Sequence, residues 1–125
     1  MFDEKIIITV DNIKISAQFN DSETAQKIWD ILPIEGRVNT WGDEIYFSIP
    51  VSVELEKAKA VVLEGDLGYW LPGSAFCIFF GTTPVSRGNE IRAASPVNVF
   101  GKIIGDPKVF KKVSSGAKII IEKDE

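Results

Sequence analysis

Residues 65–84 read GDLGYWLPGSAFCIFFGTTP, and from Ala75 to Phe80 the run is apolar without a break. A strand with one wet face alternates apolar and polar residues, so this run predicts a strand covered on both sides. Pro72-Gly73 before it and Gly81 after it bracket it too closely for a helix. Gly65-Asp66 opens the preceding segment with another turn signal. The stretch is therefore expected to form a central hairpin, residues 67–71 turning through Pro72-Gly73 into residues 75–81. Five of the thirteen aromatic residues (Tyr69, Trp70, Phe76, Phe79 and Phe80) fall here, with the single cysteine, Cys77, so the rest of the chain is expected to wrap this ribbon.

Working outward, 125 residues with 45% hydrophobic and 26% charged side chains describe one globular domain with one core. A net charge of −4 argues against a nucleic-acid partner, which would need a basic face. Met1-Phe2-Asp3-Glu4-Lys5 leads directly into a strand-like run without a signal-peptide pattern. No apolar stretch nears the roughly 20 residues of a membrane helix. A cytoplasmic chain without a membrane partner is the expectation, and one cysteine permits no internal disulfide. The absence of histidine excludes Ser-His and Cys-His nucleophilic sites and a histidine base. Zinc would have one cysteine and carboxylates to bind, a poor donor set, so neither a metal nor another cofactor is expected.

Before the hairpin, residues 5–10 and 13–19 are β-rich runs around Asp11-Asn12, a tight-turn pair. Asn20 is expected to cap a helix with Glu23 three positions on, and Ala25, Ile28, Trp29 and Leu32 share one face before Pro33 stops it. Trp29 is expected to pack this helix on the sheet. Residues 37–41 and 44–49 flank Gly42-Asp43, residues 51–55 continue extended, and 58–63 lead into the central hairpin. After Pro84, residues 85–90 form the longest polar loop. Residues 97–104 are a strand with a bulge or bend at Gly101. Asp106-Pro107 starts a second short helix, Ser114-Ser115-Gly116 ends it, residues 118–122 are the last strand, and Lys123-Asp124-Glu125 fray. Roughly eight strands and two helices of this kind suggest a mainly β, closed barrel or sandwich with helices over its open ends.

Several of these segments resemble a known family. The strand–helix opening, the apolar strand after Pro72-Gly73, and Val99-Phe100-Gly101-Lys102-Ile103 followed by a short helix and a final strand look like cyclophilins. The stretch from Trp41 to Phe47 (WGDEIYF), Gly65-Asp66 with Tyr69-Trp70, the run from Cys77 to Pro84, and Ser95-Pro96-Val97-Asn98 look more closely like a small prokaryotic cyclophilin-like family of unassigned function. The resemblance covers nearly the whole chain and implies a closed eight-stranded antiparallel barrel with two capping helices. It does not carry activity with it. Matching Ile45-Tyr46-Phe47-Ser48-Ile49-Pro50 to the Phe-His-Arg-Ile-Ile-Pro stretch of cyclophilins puts Phe47 where the catalytic arginine belongs. Gly73-Ser74-Ala75-Phe76-Cys77 puts Ala75 at the cleft glutamine, and Val97 stands at the cleft histidine. With those donors gone, prolyl isomerase activity is not the expected inheritance.

The candidate binding residues are aromatic and charged. Tyr46, Tyr69 and Trp70 each combine an apolar face with a polar tip, as ligand pockets do, or else pack the barrel. Phe47 and Cys77 join them through the cleft implied by the resemblance, although a buried, inert thiol is the plainer reading of Cys77. Glu44 and Glu90 are the carboxylates, and Arg87 and Arg92 the anion-binding candidates, against a default of solvated surface. The leading expectation is a non-catalytic module that binds a small molecule or a peptide segment. The alternatives are a residual prolyl isomerase or other small enzyme, and an interaction module that forms a homodimer.

Overall fold

The computed structural model describes residues 4–125. Strands β1 (Lys5–Val10) and β2 (Ile13–Phe19) form the first hairpin, with Asp11 in the left-handed region (φ 53°) that so short a turn requires. Helix α1 (Glu23–Asp30) follows. Its cap is Ser22, whose hydroxyl accepts from Ala25 N at 3.1 Å, and not Asn20 as the sequence pattern predicts. Asn20 instead accepts from Ser22 N (3.0 Å) and donates to the Val99 carbonyl (2.9 Å). Glu23 does not reach back. The first-turn amides of Glu23 and Thr24 donate to Glu56 at 2.9 and 3.1 Å, a partner 33 residues away from Glu23 that no local motif announces. Ala25 and Ile28 are buried, and the half-buried Trp29 meets Phe19 edge-on at 6.3 Å, so the helix packs on the sheet as expected.

The remaining strands are β3 (Ile34–Arg37), β4 (Asn39–Thr40), β5 (Glu44–Ser48), β6 (Lys59–Val62), β7 (Asp66–Trp70), β8 (Ala75–Phe79), β9 (Ile91–Ile104) and β10 (Lys118–Lys123). They form one antiparallel sheet in the order β3-β10-β1-β2-β9-β7-β8-β5-β4, with β6 added to β9. Its two ends, β3 and β4, are separated in the chain by Val38 alone, so the sheet curls back on itself. Gly36 on β3 allows the close approach there, since a Cβ would lie 2.8 Å from the Phe47 ring of β5. No hydrogen-bonded register joins the two ends among the described residues. The fold is mainly β and antiparallel, as expected, but the pairing does not close into a ring. Ten strands are present where roughly eight are expected, and the segment predicted at 37–41 holds only Arg37 of β3, which starts at Ile34 and pairs with β10, and the two residues of β4, which pair with β5.

Other departures have local causes. Residues 51–55 make no ladder: the Tyr69 hydroxyl holds the Val51 carbonyl, and Asn98 donates to the Glu54 carbonyl at 2.8 Å. Strand β9 begins six residues before the predicted start at 97, since Ile91 and Arg92 pair with β6. The predicted irregularity near Gly101 is present. Leu67 pairs with Gly101 and Gly68 with Val99, so the bulge falls on Phe100. The second helix is a 3₁₀ segment, Pro107–Lys112, capped by Asp106 as expected, and Leu71–Gly73 forms another at the central turn. Strand β10 runs through Lys123, and Asp124 N donates to the Lys5 carbonyl at 3.0 Å, so the predicted fraying does not begin at Lys123.

Aromatic rings thread the interior. Phe19 meets Phe100 at 5.3 Å, Phe100 meets Phe76 at 5.0 Å, and Phe76 meets Phe47 at 5.5 Å, linking β2, β9, β8 and β5. A smaller apolar layer (Val62, Ala75, Cys77, Phe79, Ile91, Ala93 and Val97) covers the outer face of the central hairpin. Every residue of β8 is therefore buried, which is why its sequence does not alternate. No helix among the described residues is long and apolar enough to cross a membrane.

Candidate functional site

On β5, side chains alternate across the sheet: Ile45 and Phe47 enter the main core, while Glu44 and Tyr46 face the outer layer. Cross-strand pairing places Glu44 opposite Phe79 and Tyr46 opposite Cys77. The two-residue turn Gly42-Asp43 then sets Trp41 beside Glu44, with Trp41 N donating to the Glu44 carbonyl at 3.0 Å. Gly42 has φ +61°, and a Cβ there would meet Pro84 and the Thr82 carbonyl at 2.9 Å, so the turn is held against residues 82–84. Asp43 ties it further, bonding through its backbone to Phe80 and Thr82 and through its carboxylate to Lys111 at 3.3 Å.

Between this strand end and the start of β9 lies a cavity of about 210 Å³. Trp41, Tyr46, Trp70 and Phe79 supply aromatic walls. Ala93, Ala94 and Val97 of β9 form the opposite side, and their small size leaves the space open. The Trp70 indole N–H donates to the Ser95 hydroxyl at 2.7 Å, and the ring lies where a Cβ on Gly73 would stand 2.8 Å from it, so its orientation is fixed from two sides.

Glu44 is the charged group of this wall, with only 6% of its surface exposed. Burial raises its carboxyl to about 7, with the neighbouring Cys77 thiol, which lies 3.8 Å from the Ala75 carbonyl, acting in the opposite direction. No lysine or arginine pairs with it among the described residues. Cys77 does not line the cavity. It is 2% exposed, and burial, reinforced by the charge of Glu44, pushes its thiol well above the usual range, so it is a poor nucleophile.

Of the residues singled out in the sequence, Glu44, Tyr46 and Trp70 are brought together at the cavity. Phe47 is on the other side of the sheet against Phe76 and does not reach the cavity. Tyr69 is buried in the main core. Glu90 and Arg92 pair with each other at 2.7 Å, and Arg87 N donates to Glu90 at 3.1 Å, closing the polar loop on itself away from the cavity. None of the chain's three arginines lines the cavity. Ala75 and Val97 do belong to the outer layer, and Val97 lines the cavity, where neither can donate a hydrogen bond. Trp41, Phe79 and the two alanines were not anticipated. For Trp41 a signal existed, because residues flanking a two-residue turn face each other across the hairpin. For the alanines there was none. Among the described residues no group of three Cys, Asp or Glu side chains is placed to hold a metal ion.

No protein with curated annotation matches this sequence. The solution structure of a hypothetical protein from Archaeoglobus fulgidus is 39% identical, covers 98% of this chain and 96% of its own, and superposes with a TM-score of 0.83. The model of the family described as cyclophilin-like matches residues 4–122. With nearly its whole length matched and its curled antiparallel sheet in agreement, the chain belongs to the cyclophilin-like family, one of unassigned function.

Proposed function

We infer that this chain is a binding module: a cyclophilin-like curled-sheet scaffold that receives a small molecule or the side chain of a peptide in the cavity beside Glu44, without proline isomerisation. The observation that carries this is the cavity itself, an apolar space with aromatic walls fixed by secondary contacts and one carboxylate facing in. Lowering the barrier to amide rotation calls for a donor aimed at the twisted amide nitrogen, and the chain's arginines lie elsewhere. Two measurements test the reading. Cis–trans exchange in an alanyl-proline peptide should proceed at the buffer rate; acceleration that disappears on Tyr46→Phe would establish an isomerase instead. Small aromatic and aliphatic fragments should shift the indole resonances of Trp41 and Trp70 while leaving Trp29 unmoved, and failure of every fragment to do so would remove the cavity as a site.

Self-association has one supporting observation of its own. Strand β6 pairs only with β9 among the described residues, and Val61 and Leu63 beside its open edge are 40% and 74% exposed. Sedimentation at increasing concentration tests it, and a monomer throughout would dispose of it.

A further inference from the structure

Resting on that reading of the cavity, we propose that its ligand is a small organic cation, a methylated ammonium group seated between the Glu44 carboxylate and the rings of Trp41, Tyr46 and Trp70. A carboxylate taken out of water needs a counter-charge or close hydrogen bonds. Glu44 is 6% exposed, faces the cavity, and has no cationic side chain beside it among the described residues. The neighbouring Cys77 thiol is a weak donor, and its sulfur also lies 3.8 Å from the Ala75 carbonyl, which it donates to. Without a partner cation the group keeps its proton above the usual carboxylate range, and a ligand that brings a positive charge would favour its ionised form.

The walls favour the same class. Aromatic faces carry negative charge density and attract cations held within about 6 Å of the ring, most strongly for tryptophan, and two of the rings here are indoles. An anionic ligand would meet Glu44 at close range, and a neutral one would leave its ionised form unpaired. Size is compatible: a cavity of about 210 Å³ exceeds the roughly 150 Å³ that holds benzene, so it has room for one trimethylammonium group. Methylation follows from the remaining surface. A primary ammonium brings three N–H donors, whereas Phe79, Ala93, Ala94 and Val97 offer side chains with no acceptor. A methylated head group presents carbon to those walls and needs one counter-charge.

The groups facing Glu44 are few. Cys77 comes from β8 and the Tyr46 phenol from its own strand, while the cavity walls contributed by β7 and β9 carry no charge. Affinity for a permanent cation should thus rise with pH as Glu44 ionises, and level off above its titration.

The test uses the full chain with choline and its neutral carbon isostere, 3,3-dimethylbutanol, at constant ionic strength. The readout is the indole ¹H–¹⁵N resonances of Trp41 and Trp70, with Trp29 as the control outside the cavity. Choline should shift the first two saturably and bind roughly tenfold or more tighter than the isostere. Glu44→Gln should reduce choline affinity by a similar factor and leave the isostere unchanged. If that variant does not fold, Trp41→Leu at the half-exposed rim should weaken choline more than the isostere. Equal affinities, or choline binding that survives Glu44→Gln, overturn the cation while leaving the cavity as a site. No shift at Trp41 or Trp70 from either compound overturns the cation, and the same null result from every aromatic and aliphatic fragment overturns the cavity as well.

Discussion

Replacing Glu44 by glutamine turns the buried carboxyl into a probe of its own environment. The group titrates near 7 in the folded chain and near 4.5 where unfolding returns it to water. Below the lower value both states hold the proton, and ionisation costs the fold nothing. Between the two values the unfolded chain releases a proton that the folded chain keeps, so stability falls as pH rises, and above about 7 the loss is complete. The span corresponds to about 3 kcal/mol at 25 °C, or roughly 10 °C in Tm for a chain of this length. Glutamine does not titrate, so the variant should gain on the natural chain by about that amount as pH is raised from about 4 to about 8.5. Urea unfolding of both proteins, compared at equal m values, measures it. Titrations shared by the two proteins cancel in the difference, including that of the Cys77 thiol, which is pushed well above its usual range in the folded chain and begins to ionise near the top of the interval only in the unfolded one. A buried amide brings a fixed offset of its own, so the slope with pH is the quantity to read. A difference that stays flat, or one that moves toward the natural chain with rising pH, would refute a desolvated, unpaired Glu44.

Three further substitutions probe the frame around the site. Phe47→Arg should cost about 4 kcal/mol or more by placing a charge in the main core, whereas Tyr46→Arg, on the cavity face beside Glu44, should remain folded; comparable urea midpoints would show the strand to be in the other register. Gly68→Ala would set a methyl 2.8 Å from Val97 and 3.1 Å from Phe79, costing about 1–3 kcal/mol, and Val97→Ala in the same chain should recover part of it, so strictly additive losses would contradict the contact. Glu56→Ala removes the acceptor of Glu23 N, Thr24 N and the Thr24 hydroxyl, with an expected loss of about 2 kcal/mol and faster hydrogen exchange at both amides. Burial pushes the Glu56 carboxyl up, but these hydrogen bonds outweigh it and hold the group below its usual range, so its contribution should be lost on acidification.

Much of the fold is legible along the chain. The unbroken run from Ala75 to Phe80, bracketed by Gly73 and Gly81, predicts a strand buried on both faces because apolar residues without alternation leave no face for water. The same local logic places the first hairpin, the helix, the Asp106 cap and the irregularity beside Gly101. The candidate site is only partly legible in this way: alternation along β5 puts Glu44 and Tyr46 on one face, whereas Phe47, singled out through the family resemblance, faces the main core. What tertiary structure alone decided is which distant groups meet. Glu56 caps a helix 33 residues before it, Asn98 takes the place of a strand partner for residues 54–56, and the start of β9 crosses the outside of the hairpin to roof a cavity. Period and turn chemistry act over a few residues, whereas an empty space is defined by what the opposite wall lacks, here the bulk missing from Ala93 and Ala94.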